Sequence, residues 1–175
     1  MTKNLYTLIL LLIINISTGY AQQDLTCRGR IIDANTNLPL QDVKIYLAKA
    51  NELKTQSNSN GEFQLSLEVG SGLLFKKGGY GWYFLRINNS DTQQIKLVPT
   101  DPAKSEIIFF DLDGNKKEFD RVDLYFNGQL VPEAEKSDAN GIFNNFNPKE
   151  MDFRTDTKST PETGTIRYVI INTYH

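Results

Sequence analysis

The chain has 175 residues, a formal charge of −2, 39% hydrophobic and 23% charged residues, one cysteine and one histidine. The single cysteine excludes an intrachain disulfide and the single histidine a paired-histidine metal site; as the last residue, His175 is not expected to serve a His-based triad. Mild acidity without a basic block excludes nucleic acid or an anionic membrane surface as the main partner.

Residues 1–21 read as a secretory signal peptide: Lys3 supplies a positive start, Leu5 to Ile16 an apolar run, and Gly19-Tyr20-Ala21 a small-x-small cleavage site. The run is about a dozen residues, short of the ~20 a membrane-spanning helix needs, so no span is expected after cleavage. Export follows as the expectation, to the periplasm or to the outer membrane and cell surface. Cys27 lies outside the apolar run and lacks the small-residue box of a lipoprotein acylation site; it reads as a buried strand residue.

From Leu25 onward, short apolar segments alternate with clusters of Gly, Asn, Asp and Ser, without a helical stripe. A first strand ends at Asp33, where Ala34 to Pro39 form a turn of residues that tolerate left-handed or Pro-fixed dihedrals. Val43, Ile45 and Leu47 alternate with Lys44 and Tyr46, the period-2 pattern of a half-buried strand. Ser57 to Gly61 form the next turn, after which Phe63, Leu65 and Leu67 face one way. Further strands are Leu73 to Phe75, Trp82 to Ile87 and Gln94 to Val98. Turns every 8–12 residues predict an all-β fold, a seven-stranded antiparallel sandwich over residues 22–99.

Gly29 to Asp33, the Leu38-Pro39-Leu40 turn, Val43 to Tyr46, Asn60 to Phe63 and the Gly79-Tyr80 pair resemble the carboxypeptidase regulatory-like domain. The resemblance covers Leu25 to about Pro99. It implies an Ig/transthyretin-like sandwich of the kind found at the N-terminus of exported bacterial surface proteins and outer-membrane receptors, and no peptidase activity.

Residues 100–104, flanked and broken by Pro99 and Pro102, read as a linker. The remainder, 105–175, is expected to be a smaller β-rich segment. Within it, Val122 to Tyr125 echoes Val43 to Tyr46, and Ser137 to Phe143 echoes Ser57 to Phe63, each about 80 residues later, as a repeated unit would. That makes a degenerate second sandwich one expectation. The other is a resemblance: Leu124 to Gly128, Asn147 to Met151 and Tyr168 to Thr173 are similar to the plug segment of TonB-dependent outer-membrane receptors. This implies a plug-like β-α-β unit, with Asn147-Pro148 opening one helical turn. Ser159 to Arg167 lack the Tyr-Gly and Asn-Gly pair of that pattern. With His175 ending the chain before any barrel, the resemblance implies an accessory related to nutrient receptors rather than a transporter.

Three constellations bear on chemistry. Ile107 to Gly114 resembles the first motif of haloacid-dehalogenase-type phosphatases, which implies Asp111 as nucleophile and Asp113 as general acid. Such enzymes need a doubly wound α/β domain, and nothing after Gly114 has the helical periodicity for it, so an Asp113-Gly114 hairpin turn is the leading expectation. Asp111, Asp113 and Asn115 alternate oxygen ligands, as Asp33, Asn35 and Asn37 do, but Gly114 and Val122 stand where an EF-hand needs other spacing; no catalytic, cofactor or metal residues are assigned. Tyr80, Trp82 and Tyr83 are the candidate ligand contacts, for stacking on a sugar or peptide, although alternate members of a strand face opposite ways. The functional expectation is a non-catalytic binding or assembly module with a protein or glycan partner at the cell envelope.

Overall fold

The computed structural model describes residues 24–101 and 107–174. The expected signal peptide, 1–21, and residues 102–104 of the expected linker lie outside the described residues. The protein is mostly β, as expected, with its strands in several sheets. Among the described residues, the strands before the linker are β1 (Asp24–Asp33), β2 (Lys44–Leu47), β3 (Glu52–Gln56), β4 (Glu62–Glu68), β5 (Gly72–Lys77), β6 (Tyr80–Arg86) and β7 (Gln93–Leu97).

These strands form two facing sheets, β4-β1-β7 and β3-β2-β5-β6. The alternation that marked them as strands supplies the core between them: Cys27, Ile31, Phe63, Leu67, Ile95 and Leu97 from the first sheet, and Ile45, Leu73 and Phe75 from the second, with Ile87 just after β6. Phe63 and Phe75 meet edge to face at 5.6 Å. Gly29 is required opposite Phe63, because a Cβ there would stand 2.6 Å from that ring and from the Gln93 carbonyl oxygen. The turns follow their residues: Asn37 adopts φ +59° and Gly61 φ +73°.

Two details differ from the sequence expectation. β1 pairs with β7 in parallel, Gly29 opposite Gln93 through Asp33 opposite Leu97, because the chain returns to the edge of the first sheet after crossing the second. β3 lacked a signal: Glu52 to Gln56 is a mostly exposed edge strand, without one buried face to impose alternation.

The second half begins with a hairpin of β8 (Phe109–Phe110) and β9 (Lys116–Lys117), turned at Asp113-Gly114. It continues with β10 (Arg121–Phe126), β11 (Gln129–Leu130), a helical segment, β12 (Met151–Thr160) and β13 (Gly164–Thr173). Asn127 and Gly128, at φ +48° and +77°, make the two-residue turn between β10 and β11. The four strands order as β11-β10-β13-β12, with β10 and β13 parallel. The helical segment comprises a 3₁₀ turn (Glu133–Glu135), α1 (Lys136–Ala139) and a 3₁₀ helix (Asn140–Asn145).

The expected repeat is therefore not reproduced in conformation. Val122 to Tyr125 is a strand like Val43 to Tyr46, but Ser137 to Phe143 is helical where Ser57 to Phe63 is turn and strand. Tertiary packing overrides the Asn-Gly turn signal, because Ile142 is fully buried and Gly141 is pressed against the backbone of Gly81. Where one helical turn was expected at Asn147-Pro148, residues 148–150 form a hydrogen-bonded turn outside any helix, the Asn147 carbonyl oxygen accepting from both Glu150 N and Met151 N at 2.9 Å.

This four-stranded sheet and its helical segment cover the outer face of β3-β2-β5-β6. Ala48, Leu74, Trp82 and Phe84 of the first half share a core with Leu124, Phe126, Val131, Ala139, Ile142, Met151, Val169 and Ile171 of the second. β5 is thus buried on both faces, which is why it reads as an unbroken Leu73-Leu74-Phe75 run. Polar groups stitch the same seam: Asn127 Nδ2 donates to Ala48 O (2.8 Å), Asn145 Nδ2 to Phe84 O (2.7 Å), and Asn51 Nδ2 to Gln129 Oε1 (2.7 Å).

Candidate functional site

The three aromatic candidates do not form one platform. Trp82 is buried in the shared core, edge-on to Phe126 at 6.0 Å. Tyr83 points through the opposite face of β6 toward Phe75, at 6.2 Å. Tyr80 is half-buried, and its hydroxyl donates to Asp33 Oδ2 at 2.9 Å. Burial raises both tyrosine pKa values, with the Asp33 carboxylate adding to the effect at Tyr80 and Glu150 at Tyr83.

A neighbouring lysine was not singled out by sequence. Lys76 Nζ lies 3.7 Å from the centroid of the Trp82 ring and 5.0 Å from that of Tyr46, with Glu135 Oε2 at 3.9 Å. It lines two neighbouring clefts of about 310 and 320 Å³. Burial lowers its pKa, and the Glu135 charge opposes that shift. The ammonium caps the aromatic pair and is itself paired, so it serves the seam between the halves. The only trace in sequence was its place directly after the apolar run of β5.

Asp111 and Asp113 occupy the turn of the β8–β9 hairpin. Asp111 Oδ1 accepts from Asp113 N (3.0 Å) and Asn115 N (2.8 Å), and Asp111 Oδ2 from Asn115 Nδ2 (3.2 Å). These bonds, the Asn115 backbone N–H first, hold its pKa below the ordinary carboxylate value. β8 pairs only with β9 among the described residues, in place of the parallel sheet that the phosphatase motif requires. Among the described residues no group of three or more His, Cys, Asp or Glu side chains is placed to hold a metal ion. No helix among them is long and apolar enough to cross a membrane.

The feature with most capacity for recognition is the outer edge of β12. Ten residues, Met151 to Thr160, pair with β13 in unbroken register, and among the described residues no strand pairs with the other edge. At about 3.3 Å per residue this presents a ladder of roughly 33 Å with outward backbone donors and acceptors. It contains no proline or bulge, two of the devices that blunt an edge, and carries a third, charged side chains with Lys158 among them. Asp152, Arg154, Asp156 and Lys158 share one face, Phe153, Thr155, Thr157 and Ser159 the other. Phe153 is 43% exposed and meets Phe143 edge to face at 5.4 Å. Arg167 of β13 steadies the second face, donating to Thr157 Oγ1 at 2.6 Å and to Thr155 Oγ1. The alternation of charge and hydroxyl from 154 to 159 was visible in the sequence, but an edge cannot be told from an interior strand without the sheet order.

No protein-family model matches the chain, and no curated protein matches it. Among solved structures it is similar to the 3-chlorocatechol 1,2-dioxygenase of Rhodococcus opacus 1CP, at 11% identity and a TM-score of 0.28. The match covers 90% of this chain and 62% of that one, and a likeness this slight carries no argument about chemistry.

Proposed function

We propose that this chain is an exported, non-catalytic binding and assembly module of the cell envelope, and that it engages its partner by strand addition at β12. The open ten-residue edge is the observation that carries this reading, since main-chain pairing supplies affinity and the alternating side chains supply selectivity. The signal-like N-terminus and the regulatory-like resemblance of residues 25–99 support the compartment, periplasmic or outer-membrane and surface-associated. The two packed cores support a rigid platform, which lets the edge bind without ordering itself first.

Photo-crosslinking in intact cells tests it. A photoreactive residue at Asp156 on β12 is expected to trap an envelope protein or a second copy, whereas one at Gln64 on the outer face of β4 is not. Equal or absent trapping at both positions would sink the reading. A second reading, an accessory related to TonB-dependent nutrient receptors, draws on the plug resemblance and on the hydrogen-bonded turn that follows Asn147. Co-purification with such a receptor, lost on Asp156→Arg, is its expected signature.

A further inference from the structure

The geometry points to a second copy of this chain as the partner of β12, joined by an antiparallel two-fold contact centred on Thr155. This rests on the strand-addition reading above and names its occupant.

The inference follows from the order of charges on one face of the strand. Reading along β12 they are Asp152, Arg154, Asp156 and Lys158, alternating in sign. A two-fold axis normal to the sheet brings like faces together, so residues of one parity meet residues of the same parity. With the axis at Thr155, Asp152 stands opposite Lys158 of the second copy and Arg154 opposite its Asp156, and the symmetry repeats both pairs. All four charges of each strand then face an opposite charge.

The neighbouring symmetric registers lack this property. Moving the axis to Arg154 sets Arg154 against itself and Asp152 against Asp156. Moving it to Asp156 sets Asp156 against itself and Arg154 against Lys158. Directly opposed like charges destabilise a strand pair, so the pattern selects one register from an otherwise featureless ladder.

The other face is compatible. Thr155 meets Thr155, and Phe153 meets Thr157, which covers the exposed edge of the phenyl ring. Phe143 already supports that ring from the same chain. Arg154 and Asp156 are exposed; Arg154 Nε bonds Asp152 Oδ2 at 2.8 Å and Asp156 Oδ1 accepts from Thr157 N at 2.7 Å, both within β12, so neither bond ties the strand to another element. The product is one continuous eight-stranded sheet, and it removes the long open edge.

Sedimentation equilibrium on the full mature chain tests the proposal. The wild type is expected to dimerise, more weakly as salt rises. Arg154→Asp and Asp156→Arg alone each place like charges opposite one another and should raise the dissociation constant at least about tenfold. An equimolar mixture of these two variants should form a heterodimer, and the double swap Arg154→Asp/Asp156→Arg should dimerise again. The pair Asp152→Lys and Lys158→Glu repeats the design at the outer positions, should one of the first variants misfold by circular dichroism. A wild type still monomeric at about 100 µM, or a dimer indifferent to single reversals, would overturn the inference. If the purified chain is monomeric yet Asp156 still traps a different protein in cells, the two-fold contact fails and strand addition stands. If β12 is silent in both experiments, both fall.

Discussion

Gly81 of β6 and Gly141 of the helical segment meet backbone to backbone. A Cβ built on Gly141 would stand 2.1 Å from the Gly81 Cα, and one on Gly81 2.9 Å from the Gly141 Cα. This close approach belongs to the seam by which the second half covers Trp82 and Phe84. Gly141→Ala and Gly81→Ala must each push the two backbones apart, an overpacking cost of about 1–3 kcal/mol. Gly78→Ala, where an added Cβ meets nothing within 4 Å, is the control and should stay within about ±0.5 kcal/mol. Urea unfolding at pH 7 checks all three; equal behaviour would mean the halves do not pack as described.

Asp138 ties α1 to the first half by two bonds. Thr100 Oγ1 donates to Asp138 Oδ1 at 2.6 Å and Gly79 N to Asp138 Oδ2 at 3.1 Å. Asp138 is buried, but Gly79 is exposed and Thr100 half-buried, so water can replace part of what Asp138→Ala removes and the cost should be about 0.5–1.5 kcal/mol. Asp138→Asn keeps one acceptor and should cost less. Hydrogen exchange at the Gly79 amide, faster in the alanine variant, distinguishes loss of this tie from a general loosening.

How much of this was legible in the sequence depends on what each residue faced. The sandwich strands showed themselves because one face of each meets a core, as Phe63, Leu65 and Leu67 do, and because Asn37 and Gly61 take backbone angles their neighbours could not. β3 was invisible because neither of its faces is dry. The helix at Lys136 to Asn145 was invisible for a different reason. Its Asp-Ala-Asn-Gly run carries a turn preference worth little beside the burial of Ala139 and Ile142, which exists only once β6 is in place. Of the candidate aromatics, alternation correctly separated Trp82 from Tyr83. It could not tell that the face bearing Trp82 would be covered by the second half. The β12 edge needed the sheet order, which no local pattern encodes.

Asp33 supplies a pH test with a definite sign. Its Oδ1 accepts from Thr36 N (2.8 Å) and Asn35 N (2.7 Å), and its Oδ2 from the Tyr80 hydroxyl. The Thr36 backbone bond is the leading cause holding its pKa below the ordinary value of 3.8, against the opposing effect of burial. A carboxylate depressed in the folded state binds fewer protons there than in the unfolded chain, so its stabilisation is fully present above that ordinary value. It is lost as pH falls through the lower folded value. Asp33→Asn, which keeps one acceptor for the turn, should therefore be less stable than wild type at pH 7, and the gap should narrow toward pH 3. A gap independent of pH would mean that the charge of Asp33 contributes nothing.

The Asp111 loop yields the sharpest contrast between sequence motif and structure. A nucleophilic aspartate must turn a free carboxylate oxygen toward phosphorus, held by a rigid strand end with a general acid beside it. Here both oxygens of Asp111 are engaged by the loop's own N–H donors, and Asp113 sits in the turn of a hairpin whose Leu112 is fully exposed. The carboxylate is closing a turn, as Asp does when it accepts from the amides two and four residues on. Two outcomes are expected. Asp111→Asn, which retains Oδ1 as acceptor, should leave the hairpin's amide exchange nearly unchanged, whereas Asp111→Ala should speed exchange at the Asp113 and Asn115 amides. With Mg²⁺ and a phosphomonoester, wild type and Asp111→Asn should be indistinguishable. Turnover in the wild type that the asparagine variant lacks would show that the loop opens to present the aspartate, and would return the phosphatase motif to contention.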